Sequence, residues 1–165
     1  SVGHFDSYTV ELIIILFMFI GGINFTLLWF IREGQFKKAS QDEEFKNYLV
    51  YIFTTFLFIT IALLLTRDYT TTDSFIDSLF QVVSIGTSTG YTSTDYMQWP
   101  VFTHLLLFVL MIVGACAGST SGGLKLMRIN LAFKVAMREL IRIAQPRKVQ
   151  TVRLNNQVVG DQPVC

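Results

Sequence analysis

The residues of this chain with the clearest capacity for chemistry form a hydroxyl-rich segment around a single glycine. The segment consists of Thr87, Ser88, Thr89, Gly90 and Tyr91. Glycine adopts backbone dihedral angles that are closed to other residues, so carbonyl groups of this segment can turn toward one side. A row of backbone carbonyls at membrane depth can replace the hydration shell of a cation. The residue types therefore predict a cation-binding segment, with a plain loop of small polar residues as the simpler alternative.

The apolar run before this segment favours the cation-binding interpretation. Residues 75–86 read FIDSLFQVVSIG and as a helix reach ~18 Å, which is too short for a hydrocarbon core of ~30 Å. Thr72 or Asp73 can cap the start of this helix. The negative end of its dipole then points at the hydroxyl-rich segment and favours a cation there. A short helix and such a segment, between two longer apolar segments, predict a re-entrant pore loop.

A second cluster of small residues interrupts the last long apolar segment. Its glycine and hydroxyl residues are Gly114, Gly118, Ser119, Thr120, Ser121, Gly122 and Gly123. Such a run makes a poor helix, because glycine loses much conformational freedom when it is ordered. Counted from Trp99, the break begins ~22 Å along a helix and therefore within the ~30 Å hydrocarbon layer. Unwound backbone at that depth has to be buried or face a cavity, so we predict a flexible constriction that acts as a gate.

Three long apolar segments position these two clusters. The chain has 165 residues, of which 52% are hydrophobic and 15% are charged, whereas about 25% are charged in soluble domains. Residues 12–31, 47–66 and 99–117 contain no charge, and each is long enough to cross a bilayer. We predict an all-α transmembrane fold with residues 47–66 as an outer helix. Residues 73–97 then hold the pore helix and the cation-binding segment, and residues 99–145 form a broken inner helix with a basic continuation.

The distribution of Lys and Arg predicts the orientation in the membrane. All of the 13 Lys and Arg residues except Arg67 lie in residues 32–46 or after residue 124. Because positive residues accumulate on the cytoplasmic side, we expect residues 32–46 and 125–165 to be cytoplasmic and the pore loop to face outside. Four aspartates would surround the outer mouth: Asp68, Asp73, Asp77 and Asp95. They either concentrate cations there or are solvated loop carboxylates.

The helix that follows the break carries a basic stripe. Its positive residues are Lys125, Arg128, Lys134, Arg138 and Arg142, of which Lys125 lies ~60° outside the stripe at ~100° per residue. The stripe either contacts anionic lipid headgroups or forms a docking surface for a cytoplasmic partner, and the residues alone favour the lipid interpretation. Pro146 should end this helix, which leaves residues 146–165 as a cytoplasmic connector.

The remaining polar residues do not form an enzyme site. In GSTSGGLK, at residues 118–125, Leu124 separates the glycines from the lysine, so the pattern of a phosphate-binding loop is not met. His104 has no second ligand residue three or four positions away, and we expect it to be neutral and hydrogen-bonded to a neighbouring helix. Neither Cys116 nor Cys165 has metal-ligand spacing. We expect no cofactor, no enzymatic activity and no nucleic-acid binding.

A non-transporting membrane scaffold remains an alternative, and a membrane enzyme using His104 would need further polar residues outside this sequence.

Two stretches of the chain together resemble a known transporter family. SLFQVVSIGTSTGYTSTDYMQWP, followed by GACAGSTSGGLKLMRI, is similar to the potassium-translocating membrane subunits of bacterial Trk systems, in the superfamily that includes Ktr and plant high-affinity potassium transporters. This resemblance covers nearly the whole chain. It implies a potassium-channel-like pore of four linked repeats, each a helix, a pore loop and a helix. Residues 1–31 would close the second repeat, residues 32–46 would be a cytoplasmic loop, and residues 47–130 would form the third repeat of a longer protein.

The resemblance also implies roles for the two clusters. Residues 87–91 would form the selectivity filter, with K⁺ bound at Ser88 and Thr89, and residues 114–123 would be the family's intramembrane gating loop. Some members carry serine in place of a filter glycine and admit sodium more readily, so Gly90 fits potassium uptake. A sodium-permeable or sodium-coupled relative is the alternative.

The resemblance implies partners and a location as well. The full-length subunit would lie in the bacterial cell inner membrane as a homodimer. A cytosolic nucleotide-binding regulatory subunit would control its gate, close to residues 125–142. The resemblance therefore favours the docking interpretation of the basic stripe over the lipid interpretation.

Overall fold

The computed structural model of the chain describes residues 2–5, 7–66, 71–144, 153–154 and 157–158. The α-helices of this part are α1 (Tyr8–Gly21), α2 (Phe25–Arg32), α3 (Phe36–Gln41), α4 (Glu43–Leu65), α5 (Thr71–Gly86), α6 (Val101–Val113) and α7 (Leu126–Ala144). Short 3-10 turns occupy Val2–Phe5 and Tyr96–Gln98. The strands β1 (Arg153–Leu154) and β2 (Gln157–Val158) form a minimal antiparallel pair in the predicted connector, with Arg153 opposite Val158. The predicted helical class is confirmed, and this pair is a small addition to it.

Within the described residues, α4 is the one continuous helix that is long and apolar enough to cross a membrane. Its 23 residues extend ~35 Å, more than the ~30 Å of a hydrocarbon core. Asp42 begins the helix, because its carboxylate accepts a hydrogen bond from the Phe45 amide at 2.8 Å. The helix therefore starts at Glu43 and not at residue 47, where the charge-free sequence begins.

The first apolar segment is bent and is not a straight span. α1 and α2 meet at 104°, and the two helices together have the length and apolar character of one span. Asn24 begins α2, because its side-chain oxygen accepts a hydrogen bond from the Thr26 amide at 2.9 Å. The span predicted over residues 12–31 is therefore broken into two helices, since a helix cap lies inside the apolar run.

Gly22 allows the bend to pack closely against its neighbours. A Cβ atom on Gly22 would lie 2.4 Å from the hydroxyl oxygen of Tyr48 and 2.9 Å from Cγ2 of Thr87. Both distances are shorter than side-chain carbons tolerate, so only glycine lets the backbone come this close. The bend is thereby packed between α4 and the hydroxyl-rich segment that follows α5.

Helix α5 is enclosed by other helices of the chain. It packs against α1, α4 and α6, and Phe80 and Val82 are completely buried. The hydroxyl oxygen of Ser78 lies 2.6 Å from that of Thr60 on α4, so a polar contact also joins these two helices. α5 begins at Thr71, slightly before the expected start, and its 16 residues reach ~24 Å. The helix is still shorter than a hydrocarbon core of ~30 Å.

The last apolar segment forms a shorter helix than residues 99–117 predicted. α6 has 13 residues and reaches ~20 Å. Pro100 precedes it, and Gly114 ends it with φ 70° and ψ −160°. From Gly114 the backbone is irregular until α7 begins at Leu126, which is where the sequence predicted a break.

Large apolar side chains cover the outside of the helices. Phe17 on α1, Phe53 on α4 and Val101 on α6 expose 68%, 63% and 83% of their surface. Soluble monomers rarely expose contiguous apolar patches of this kind. Such a surface is typical of helices that contact lipid or further membrane helices.

Candidate functional site

The hydroxyl-rich segment begins where α5 ends, and its backbone amides turn back to that helix. The Thr87 amide donates to the carbonyl of residue 83 at 2.9 Å. The Ser88 amide donates to the carbonyl of residue 85 at 3.0 Å, and the Thr89 amide donates to that of residue 84 at 2.9 Å. The Gly90 amide follows the same direction, with its nitrogen 3.4 Å from the carbonyl oxygen of residue 84. Every amide from residue 87 to residue 90 is therefore held against the end of α5.

This pattern sets the direction of the carbonyl groups. In a trans peptide the N–H and the C=O point in opposite directions, so the carbonyls of Thr87, Ser88 and Thr89 point away from α5. Across the described residues, no group donates a hydrogen bond to the carbonyls of residues 87–90. Ser88 has φ 58° and Gly90 has φ 78°, and no atom lies within 4 Å of where a Cβ on Gly90 would be. The structure thus presents a short row of unpaired carbonyls beside open space.

Side-chain hydroxyls fix the same segment on the side of α5. The Ser84 hydroxyl, which is fully buried, donates to the carbonyl of Tyr91 at 2.6 Å. The Thr87 hydroxyl oxygen lies 2.8 Å from the carbonyl oxygen of Val83 and 2.8 Å from the hydroxyl oxygen of Thr89. The carbonyl of Tyr91 is therefore paired, and it differs in this respect from the carbonyls that precede it.

The aspartates that the sequence placed at an outer mouth take part in local hydrogen bonds. Asp73 accepts from the Tyr8 hydroxyl at 2.8 Å, and Asp77 accepts from the Ser93 hydroxyl at 2.9 Å. Asp95 caps the short turn that follows the segment. Asp68 lies outside the described residues. Asp77 and Asp95 thus contact the stretch that follows the segment, whereas Asp73 contacts α1.

The irregular segment of residues 114–125 is a compact loop whose two ends meet. The Leu124 amide donates to the Ile112 carbonyl at 3.0 Å. A Cβ on Gly114 would lie 2.3 Å from the carbonyl oxygen of Gly122. With its φ of 70°, this position therefore requires glycine. We call residues 114–125 the intramembrane loop, after the depth that the sequence predicted for them.

The bend between α1 and α2 holds the intramembrane loop from one side. The Cys116 amide donates to the Gly22 carbonyl at 3.2 Å, and the Thr120 amide donates to the Gly21 carbonyl at 3.3 Å. In return, the Phe25 amide donates to the carbonyl of residue 118 at 3.1 Å. Cys116 is completely buried.

The intramembrane loop also touches the hydroxyl-rich segment. The Gly122 amide donates to the hydroxyl of Ser88 at 3.2 Å. A Cβ added at Gly122 would lie 3.4 Å from that hydroxyl oxygen, so a larger residue at this position would touch Ser88. The structure therefore brings together the two clusters that the sequence singled out separately.

The basic residues that the sequence grouped in one stripe have different surroundings. The Lys125 ammonium donates to the carbonyls of Ser119 and Ser121, so it serves the intramembrane loop. Lys134 forms an ion pair with Glu43 of α4 at 2.6 Å. Arg128 is exposed, Arg138 contacts Glu139 at 3.2 Å, and the side chain of Arg142 lies outside the described part.

His104 binds within its own stretch of chain. Its Nε2 lies 2.8 Å from the carbonyl oxygen of Tyr96, whereas we expected a partner on a neighbouring helix. Among residues 7–66 and 71–144, no group of three His, Cys, Asp or Glu side chains is close enough to hold a metal ion.

Sequence reasoning missed three contributors to the site. They are Gly21, Gly22 and Glu44. The paired glycines inside an apolar run were an available signal for the bend. Nothing in the local sequence marks Glu44, whose carboxylate accepts a hydrogen bond from the Ala117 amide of the intramembrane loop at 2.6 Å.

The chain is similar in sequence to known cation transport proteins. Residues 49–164 match the TrkH family, which is described as a cation transport protein. The Trk system potassium uptake protein TrkH of Vibrio parahaemolyticus is 38% identical over 168 residues, which cover 99% of this chain and 35% of that protein. TrkH of Escherichia coli is 37% identical, covering 98% and 34%, and TrkG of Escherichia coli is 31% identical, covering 98% and 33%. The chain thus spans about a third of the length of the curated relatives it matches.

A solved structure shares the fold. The crystal structure of the potassium transporter TrkH from Vibrio parahaemolyticus matches with a TM-score of 0.86 at 39% sequence identity. The match covers 93% of this chain and 34% of that chain. The helical architecture with a pore loop is therefore that of a membrane protein built from pore-loop repeats.

Proposed function

Because the chain belongs to the TrkH family of cation transport proteins, we propose that it forms part of a potassium uptake protein of the bacterial inner membrane. Members of the family are integral membrane proteins, and α4 and the bent pair α1 and α2 have the length and apolar character this requires. The relatives that carry the name potassium uptake protein are about three times as long as this chain. The chain then supplies one pore-loop unit, the third of four, and the closing helices of the unit before it.

The carbonyl row after α5 is the observation that carries this proposal. Because the amides of residues 87–90 are held against α5, the carbonyls of Thr87, Ser88 and Thr89 are free to coordinate an ion. A dehydrated K⁺ exchanges its water shell for such oxygens as it passes. We place the ion at Ser88 and Thr89, with Gly90 providing the backbone turn. One unit forms one wall of the filter, and the other repeats complete the ring of oxygens. K⁺ is the cargo, and the mechanism includes no cofactor.

The electrostatic surroundings of the carbonyl row favour a cation. α5 points its carboxyl end at the row, and a helix carries about half a negative charge at that end. The helix is buried, so the field is weakly screened by water. The carboxylates of Asp73, Asp77 and Asp95 add negative charge on the outer side and raise the local cation concentration.

The proposed gate is the intramembrane loop. It contacts the filter segment through Gly122 and Ser88, and its glycines allow a change of backbone conformation at low cost. In the proposed mechanism the loop blocks the path below the filter in one conformation and clears it in another. A shift of the loop would also change the hydrogen bond at Ser88.

A regulatory partner would act on the loop through α7. The relatives are named as parts of a Trk system, and we propose a cytosolic nucleotide-binding subunit as the partner of a homodimeric full-length protein. The proposed docking surface is the basic face of α7, on which Arg128 is exposed and Lys134 and Arg138 are partly buried. Lys125 contributes to the loop and not to this surface, because its ammonium is engaged by loop carbonyls.

Reversing the charge of Arg128 tests this docking surface. Arg128→Glu in the full-length protein should weaken binding of the regulatory subunit, mainly by slowing association, because a charge at the edge of an interface steers the approaching partner. Arg32→Glu, at the exposed end of α2, is the matched control and should not change binding. Equal affinities of both variants for the subunit would leave lipid headgroups as the better explanation of the basic stripe.

Growth under potassium limitation tests the proposed transport function itself. The full-length gene, with its regulatory partner supplied, should restore growth of an uptake-deficient bacterium at low K⁺ and should restore K⁺ uptake. Gly90→Val should abolish both while membrane insertion persists. If the wild-type protein inserts but does not restore K⁺ uptake, the proposed function is wrong. Restored Na⁺ uptake with little K⁺ uptake would instead identify a sodium-permeable relative.

A further inference from the structure

Among the residues that the structure describes, two side chains from outside the intramembrane loop hydrogen-bond its backbone. One is Ser88, on the filter side. The other is Glu44, in the first turn of α4, whose carboxylate accepts from the Ala117 amide at 2.6 Å. The loop is thus held between the filter and the start of the helix that crosses the membrane.

Glu44 differs from an ordinary acidic residue at the start of a helix. Carboxylates in a first turn usually stay in water beside the amides of their own helix, but Glu44 is 8% exposed. A buried carboxylate is tolerated when it accepts hydrogen bonds, and a bond to a charged acceptor is short and strong. The Met127 amide, in the first turn of α7, also faces this carboxylate. Glu44 therefore joins α4 to the loop, close to the start of the helix that follows the loop.

The neighbouring residue Glu43 provides an internal comparison. It pairs with Lys134 of α7 at 2.6 Å, but the side chains of Glu43 and Lys134 are 46% and 38% exposed. Exposed ion pairs contribute little to stability. The same turn of α4 thus carries one buried contact to the loop and one exposed contact to α7.

We propose that Glu44 is a positioning residue that latches the intramembrane loop against the filter. The proposal rests on the gating role proposed for the loop and names the contact that gating has to break. A displacement of α7 pulls on Met127 and on the loop, and the bond between Glu44 and Ala117 resists that movement. Without the carboxylate, the Ala117 amide loses its acceptor and the loop leaves the filter more often.

Cys116 reports this opening without any measurement of transport. Its side chain is buried beside Ala117, so a membrane-permeant maleimide reaches it only when the loop opens. In a full-length protein whose other cysteines are serine, Glu44→Ala should raise the labelling rate about 10-fold or more, as expected from loss of a charge-assisted hydrogen bond. Glu44→Gln keeps an acceptor oxygen and should raise it by less than about 3-fold. Glu43→Ala is the matched control and should leave the rate unchanged.

Ion flux separates this role from a merely structural one. Glu44→Ala should raise K⁺ flux in the absence of the regulatory subunit and leave the preference for K⁺ over Na⁺ unchanged. Equal labelling rates in the wild type and Glu44→Ala, or an equal increase in Glu43→Ala, would overturn the latch. If Glu44→Ala does not insert into the membrane, Glu44→Asp serves instead, because it keeps the charge but its side chain is too short to reach the Ala117 amide. Cys116 should then be labelled faster in Glu44→Asp than in Glu44→Gln. Equal labelling rates in these two variants would also overturn the proposal. If Glu44→Ala raises the labelling rate of Cys116 but the wild-type protein does not transport K⁺, the proposed transport function is contradicted and the latch is not.

Discussion

Replacing Gly90 with serine in the full-length protein should lower its preference for K⁺ over Na⁺ and leave it folded. Gly90 has φ 78°, and no atom lies within 4 Å of where its Cβ would be. An L-residue in this left-handed region costs about 1–2 kcal/mol, and no steric clash adds to that cost. Because a protein is stable by ~5–15 kcal/mol, most of the protein stays folded.

The effect on the filter should be much larger than the effect on stability. The strained residue can relax by rotating the peptide that joins Thr89 to Gly90, which turns a carbonyl away from the ion. Losing about 1.4 kcal/mol of K⁺ coordination relative to Na⁺ corresponds to tenfold in selectivity. We therefore expect the ratio of K⁺ to Na⁺ uptake to fall about tenfold.

Gly34 offers a matched control for the same substitution. It has φ 76° and also has no atom within 4 Å of a Cβ position, but it lies in the turn between α2 and α3. Gly34→Ser thus has the same backbone strain at a distance from the filter. Both variants would be compared with the wild type by membrane abundance, K⁺-limited growth and initial rates of K⁺ and Na⁺ uptake. If the selectivity of Gly90→Ser matches that of Gly34→Ser at equal abundance, the assignment of Gly90 to the filter is refuted.

Two further substitutions probe the supports of the filter and the loop. Ser84→Ala removes the 2.6 Å hydrogen bond to the carbonyl of Tyr91. The protein should lose about 1 kcal/mol of stability, measured as a lower Tm. The selectivity for K⁺ should fall less than in Gly90→Ser. Unchanged Tm and selectivity would show that this bond does not hold the filter. Gly114→Ala places a methyl group 2.3 Å from the carbonyl oxygen of Gly122, so the loop cannot keep its shape, and maleimide labelling of Cys116 should rise. A labelling rate equal to that of the wild type would contradict the close contact at Gly114.

The pore loop could be predicted because its signals are local. A run too short to cross the membrane, followed by hydroxyl residues and Gly90, is visible within about 20 residues. The structure adds what the sequence could not give, namely the direction of the amides toward α5. That direction decides which carbonyls are free and which one, at Tyr91, is paired.

The bend in the first apolar segment could not be predicted from hydropathy. The mean hydropathy of residues 12–31 is high, and a mean over the segment hides the glycine pair and the capping asparagine within it. The cause of the bend is also distant in sequence, because Gly22 is confined by Tyr48 and Thr87. A local reading of the glycines and Asn24 would have shown that a break was available, but not its purpose.

The sequence predicted the side of the membrane for the charged residues near the intramembrane loop, but not their contacts. Glu44 lies in sequence with residues 32–46, which we took as a cytoplasmic loop, and its burial depends on a contact to Ala117, 73 positions away. Lys125 was grouped with the basic stripe, but a φ of 69° turns it into the loop, where Ser119 and Ser121 accept from its ammonium. Tertiary folding of the loop decides both positions, and no local pattern encodes it.

The hydrogen bonds between the bend and the intramembrane loop have a consequence for how such a protein can evolve. The carbonyls of Gly21 and Gly22 accept hydrogen bonds from the amides of Thr120 and Cys116, and in the proposed assignment the carbonyls belong to one repeat and the amides to the next. If the proposed repeats and gate are right, the gating loop of one repeat is held by the repeat before it, so a single repeat does not contain all the contacts that its own gate needs. A third repeat transplanted from a relative would bring its loop without the matching seat. Exchange between members of the family should succeed only when the crossover carries the bend and the loop together.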